Sequence, residues 1–209
     1  MSKVGLVIRY SFWIDFKQMT QKSEHYRIYI AREANREDGC TGRFWEGRFK
    51  SQALLDDAAV LACMVYVDLN PIRANMAKTP EQSDHTSIQR RIKAALSGKQ
   101  PKELAAFTAP QNGDMSQGLA FAIDDYLELV EQTGRIIRDD KVGHIPEAIP
   151  DLLSRLQISP ANWLTLTTEF EHKFHRAAGR EAKLRLFAEH THHQRANGIS
   201  NARALLSTA

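Results

Sequence analysis

Cysteine is scarce in this chain of 209 residues: there are two, Cys40 and Cys63. Two thiols so placed build neither a disulfide framework nor a zinc-binding pattern. Cys63 lies in an apolar run and reads as a small core residue. Long apolar runs are missing too. Val4-Gly5-Leu6-Val7-Ile8 is broken by Arg9 before it reaches signal-peptide length, and no stretch approaches the ~20 apolar residues that span a bilayer. The expectation is a cytoplasmic protein without a membrane partner. Nor is there an excess of glycine, proline or charge. Hydrophobic residues make up 43% and charged residues 25%, the balance of an ordinary globular chain.

Net charge is a modest +3, but it is unevenly spread. Residues 1–100 hold 16 Lys and Arg against 11 Asp and Glu; residues 101–209 hold 12 against 14. A polyanionic partner should therefore meet the first half.

Helical spacing of Ile28, Ala31 and Asn35 predicts a helix over about 21–36, ended by the turn residues Glu37-Asp38-Gly39. From Arg43 to Leu55 aromatics and glycines replace that period and suit a short strand or hairpin. Asp56-Asp57 then opens the clearest helix, since acids in a first turn complement the helix dipole. Pro71 disfavours helical geometry at Asn70, so the helix should close there or just before. A short segment, Ile72 to Ala77, and a basic helix, Ser83 to Leu96, follow. Residues 97–118 carry three glycines and two prolines and read as a linker between an N-terminal region, 1–96, and a C-terminal one, 119–209. The latter shows helical patterns over about 119–133, 147–157, 160–177 and 179–194. Ser159-Pro160 is a strong start signal for the third. Trp163, Phe170 and Phe174 read as core residues of this helical tail.

The chemically informative stretch is Gly42-Arg43-Phe44-Trp45-Glu46-Gly47-Arg48-Phe49-Lys50-Ser51, followed by Tyr66-Val67-Asp68-Leu69-Asn70-Pro71-Ile72-Arg73-Ala74. On a helix, residues four apart share a face, so Tyr66 and Asn70 can address one site, with Arg73 just beyond. A tyrosine hydroxyl can attack a phosphodiester and become a phosphotyrosine. Its pKa of ≈ 10 calls for a neighbouring cation or base, and an Asn carbonyl is a suitable ligand for Mg²⁺. A packed core tyrosine is the alternative. Arg43, Arg48 and Lys50 among Phe44, Trp45 and Phe49 suit a single-stranded nucleic-acid surface, or else the aromatics are core and the cations ordinary surface.

These two motifs, in this order and spacing, resemble the IS200-like and REP-associated single-tyrosine (Y1, HUH-type) transposases. There a Trp-Glu-Gly-Arg-Phe/Tyr-Lys-Ser hairpin precedes a helix ending Tyr-x-x-x-Asn-Pro-x-Arg-Ala. The resemblance runs from about Ile28 to Ser87, and the segment from Asp84-His85-Thr86-Ser87-Ile88 onward is similar to a longer-tailed subgroup. It implies an α+β fold: a remnant of a ferredoxin-like domain, hairpin plus tyrosine-bearing helix, followed by a mostly helical region. It implies Tyr66 as nucleophile, Asn70 as a ligand of Mg²⁺, and Arg43, Arg48, Lys50 and Arg73 as DNA contacts. The implied activity is cleavage and rejoining of single-stranded DNA through a 5′-phosphotyrosine in transposition. Single-stranded or hairpin DNA ends are the implied partner.

The family's His-hydrophobic-His metal pair is not found before Tyr66, where His25 stands alone. The expectation is therefore an N-terminally truncated product, inactive on its own: a catalytically inactive DNA-binding fragment or a non-functional one. His190-Thr191-His192-His193 is read as a solvated, helix-terminal cluster, with a metal site as the alternative. An exposed hairpin edge predicts a homodimer, pairing with an intact transposase, or poor solubility.

Overall fold

The computed structural model describes residues 28–42, 44, 52–108, 118–138, 151–191 and 195–206. The chain divides between Ser51 and Gln52 into two compact units.

In the first unit residues 28–37 are helical (α1). Two hydrogen bonds close the helix, Gly39 N–H to Arg36 O and Cys40 N–H to Asn35 O, at 3.4 and 2.8 Å. Gly39 adopts φ +60° between them, which completes a Schellman stop. The Asn35 side chain adds a bond to Gly42 O. The stop falls where the Glu37-Asp38-Gly39 turn is expected. Of the expected hairpin, Phe44 is described and exposed, whereas Arg43, Trp45, Arg48, Phe49 and Lys50 lie outside the described residues.

The second unit is mixed α and β but mostly helical. In order it contains β1 (Ala53–Leu54), α2 (Asp57–Asp68), α3 (Asn70–Arg73), a 3₁₀ turn (Pro80–Gln82), α4 (Ser87–Ala95), α5 (Ile123–Arg138), α6 (Asp151–Arg155), α7 (Pro160–Lys173), β2 (Ala177–Ala178), α8 (Glu181–His190) and α9 (Ile199–Leu206). No helix among the described residues is long and apolar enough to cross a membrane.

Start signals act as expected. Asp56 caps α2 by accepting from Ala59 N–H at 2.9 Å. Ser159 caps α7, with Pro160 at its first position, where the missing N–H costs nothing. α2 closes at Asp68, through Leu69 at φ −92°, ψ 0°, just before Asn70-Pro71.

α2 buries Ala58, Ala59, Leu61, Ala62, Cys63 and Val65, nearly its whole circumference, as a central core helix does. Its main neighbour is α7, whose Trp163, Leu166 and Phe170 are buried, with Phe174 just after it. Each such side chain contributes roughly 1.5–3 kcal/mol on burial. The tail and the tyrosine helix thus share one hydrophobic core.

The strand pairing carries the same message. β1 pairs with β2 in parallel, Ala53 opposite Ala177 and Leu54 opposite Ala178. Strand geometry near Leu55 is therefore present, but the partner comes from the tail. Parallel strands require a crossover, and here most of the chain supplies it.

The segment read as a linker is built into this unit. Phe107 is buried, and the Gln100 side chain accepts from its N–H at 2.6 Å and donates to its carbonyl at 3.0 Å. Thr108 N–H donates to Leu119 O, and Leu119 N–H to Ala106 O, both at 2.8 Å. A Cβ at Gly118 would stand 2.5 Å from Ala106 O, so that crossing needs glycine.

Candidate functional site at the α2–α3 break

The break after Asp68 brings Tyr66, Asn70 and Arg73 onto one patch. Pro71 has no N–H to continue the α2 ladder, so the chain re-enters as the single turn of α3. Arg73 then folds back over Tyr66, its guanidinium carbon 4.1 Å from the ring centroid.

The guanidinium is spent on the protein itself. One nitrogen donates to the Thr167 carbonyl at 2.6 Å. The other donates to the Tyr66 carbonyl at 2.7 Å and to Asn70 Oδ1 at 3.2 Å. Burial pushes the Arg73 pKa down, and Tyr66 opposes that shift. An arginine starts so high that the group stays charged.

The acceptor on the tail lies beside a distortion in α7. Glu169 has φ −121° and ψ 16°, a kink inside the helix. Thr167 and Thr168 hydroxyls donate back to the Trp163 and Leu164 carbonyls, at 2.9 and 2.7 Å. Such back-bonding bends helices. Arg73 meets α7 at this bend.

Tyr66 is half-buried. Its ring lies 6.1 Å from that of Phe170, and its hydroxyl donates to Glu171 Oε2 at 3.5 Å, a long, weak contact. A carboxylate so near the hydroxyl stands where an attacked phosphate would need to approach, and like charges repel. Asn70 is exposed, with its carbonyl oxygen turned to Arg73.

The donors here do not make a Mg²⁺ site. Asn70 Oδ1 shares its lone pairs with a cation, and Mg²⁺ requires near-octahedral oxygen ligation. No group of three or more His, Cys, Asp and Glu able to hold a metal occurs among the described residues. His190, exposed at the end of α8, has Nδ1 2.9 Å from Leu186 O. His192 and His193 lie outside the described residues.

Asp68, two residues after Tyr66, has a role that spacing did not suggest. It is 1% exposed. Oδ1 accepts from the Ser87 hydroxyl at 2.6 Å and Ile88 N–H at 3.2 Å, and Oδ2 from the Tyr126 hydroxyl at 2.5 Å. The carboxylate thus sits on the N-terminal turn of α4, where helix N–H groups favour negative charge, and ties α2, α4 and α5 together. Desolvation pushes its pKa up, against the pull of Ser87, Tyr126 and Arg91. Desolvation and Asp68 together push Tyr126 well above its usual range, so the phenol remains a donor.

Arg91 is buried beside this group and is not part of a basic helix surface. Its guanidinium lies 4.5 Å from the Phe107 ring centroid and donates to Ala105 O at 3.1 Å. Phe107 in turn stacks on Tyr126 at 5.0 Å. The expected basic face of α4 is therefore reduced to Arg90 and Lys93, both exposed.

No protein-family model, no curated protein and no solved structure matches the chain.

Proposed function

We propose that this chain is a DNA-binding protein of the single-tyrosine transposase kind in which the Tyr66–Asn70–Arg73 constellation serves the fold instead of strand cleavage. One observation carries the second half of that reading: Arg73 spends its donors on Thr167 O, Tyr66 O and Asn70 Oδ1. A guanidinium needed to hold a phosphate at Tyr66 is tied down, and Glu171 faces the hydroxyl. The order and spacing of the two motifs, with the net-positive first half, support DNA as partner. Arg43, Arg48 and Lys50 are the proposed contacts. On this reading the hairpin and α2 are the remnant of a ferredoxin-like domain, and the tail helix α7 supplies packing for α2.

The test is a labelled single-stranded hairpin DNA incubated with the purified chain and Mg²⁺ or Mn²⁺. Salt-sensitive binding is expected, each phosphate contact adding roughly −0.7 to the log–log salt slope. Arg48→Ala and Lys50→Ala should weaken it. No denaturation-resistant adduct should form. An adduct that disappears in Tyr66→Phe would overturn the structural role, and absence of any binding would overturn the DNA reading.

A further inference from the structure

The loop between α7 and β2 reads His172-Lys173-Phe174-His175-Arg176, four basic or imidazole side chains in five positions. It lies in the half of the chain where acids outnumber bases, 14 to 12, so the cluster runs against its surroundings. Cations at a helix C-terminus complement the dipole, which accounts for His172 and Lys173. His175 and Arg176 lie past the helix end, where the dipole has no further claim on them.

The loop's backbone is pinned from three directions. Lys173 O accepts from the Asn201 side chain at 2.7 Å. Phe174 O accepts from the Gln52 side chain at 2.6 Å, and Arg176 O from Ala53 N–H at 2.9 Å. Phe174 is buried as an anchor, 1% exposed, within 3.4 Å of where a Cβ at Gly198 would stand. His172, His175 and Arg176 are exposed nonetheless. Lys173 is half-buried and paired with Glu169 at 3.1 Å. By contrast Arg180 turns inward to Leu156 O, and Arg185 and Arg203 are held by Glu181. A rigid backbone presenting exposed cations loses little entropy on binding.

We infer that this loop is a second phosphate-contacting surface, on the tail, for a phosphodiester chain such as single-stranded DNA. Arg176 would meet a phosphate oxygen through its planar fork, and the imidazole N–H groups of His172 and His175 would donate to neighbouring ones. The choice of nucleic acid as partner rests on the functional reading above; the surface itself does not.

The test uses the full chain, two labelled probes, and two double variants checked for unchanged melting. The probes are a mixed-sequence single-stranded oligonucleotide and inorganic polyphosphate, which has no bases. His175→Ala with Arg176→Ala is compared with Lys183→Ala with His190→Ala, a matched loss of side chains on α8. The loop variant should bind both probes at least about threefold more weakly than the control, with a salt slope shallower by roughly 0.7 per lost contact. If the chain binds the oligonucleotide and the loop variant binds it as tightly as the control, the inference falls while the DNA reading stands. Loop-dependent binding of polyphosphate alone would uphold the surface and overturn the DNA reading. Binding of neither probe would overturn both.

Discussion

Replacing Asp68 by alanine strips one acceptor from three donors at once. The Ser87 hydroxyl is half-buried and can turn to water. The Ile88 N–H and the Tyr126 hydroxyl cannot, since both residues are fully buried. Each buried donor left without a partner costs about 1–3 kcal/mol, and Arg91 loses a neighbouring counter-charge. The expected loss for Asp68→Ala is thus about 3–5 kcal/mol, the range for breaking a buried charged network. Tyr126→Phe removes one donor and leaves the other two, so about 1–2 kcal/mol is expected. Asp68→Asn should be milder than the alanine variant, because an amide keeps an acceptor oxygen and avoids burying a charge. Urea denaturation followed by circular dichroism measures all three. At ~2 kcal/mol per M, Asp68→Ala should move the midpoint by about 1.5–2.5 M. Asp68→Ala and Tyr126→Phe should also combine non-additively, by at least about 1 kcal/mol. A loss below ~1 kcal/mol for Asp68→Ala, or strict additivity, would refute the claim that the carboxylate joins α2, α4 and α5.

The same residue gives a pH test whose sign follows from its raised pKa. A carboxyl easier to protonate folded than unfolded weighs on stability when ionised, above its folded pKa. As pH falls through that value towards the ordinary 3.8, the native state takes up the proton first and the burden is relieved. The wild type should therefore gain on Asp68→Asn as pH is lowered through that window. A stability difference independent of pH would mean that burial does not penalise the charge.

Arg73→Ala should cost about 2–3 kcal/mol by urea denaturation, since two hydrogen bonds from a charged donor are lost on a half-buried group, and Arg73→Lys should restore less than half, because an ammonium lacks the fork. Gly179→Ala should destabilise by about 1–3 kcal/mol, because the new methyl would lie 3.0 Å from Leu55 Cβ beside β1; thermal melting reads this directly. Glu181 is held down to about 2 by hydrogen bonds from Arg203 and Arg185. Its support of the α8–α9 contact should be fully present above pH ~4.5 and vanish as pH falls through ~2. Glu181→Gln should thus speed amide exchange in α9 at pH 5, and no change there would show the contact to be idle.

Much of the helical layout was legible because its signals are local. Asp56 as cap, Pro71 as stop, Ser159-Pro160 as start and Gly39 as terminator each act within one turn of themselves. What escaped is what depends on distant chain. α9 and β2 are short and lack a cap or a turn of their own; the two residues of β2 are strand because Ala53 and Leu54 lie alongside. Phe107 in a glycine- and proline-bearing stretch looks like linker until Tyr126 and Arg91 are folded against it.

The candidate site divides along the same line. That Tyr66, Asn70 and Arg73 converge was readable from their spacing across Pro71, and they do share one guanidinium. That the guanidinium is consumed by Thr167 O was not, because a main-chain carbonyl has no residue type to announce it. The same holds for Asp68, where one of three donors is the backbone N–H of Ile88. Side chains that could make a reactive tyrosine are also side chains that can clasp two helices, and the choice between those roles is made by backbone atoms on α7. A motif therefore states which groups meet, while the fold of the tail decides what they are left able to do.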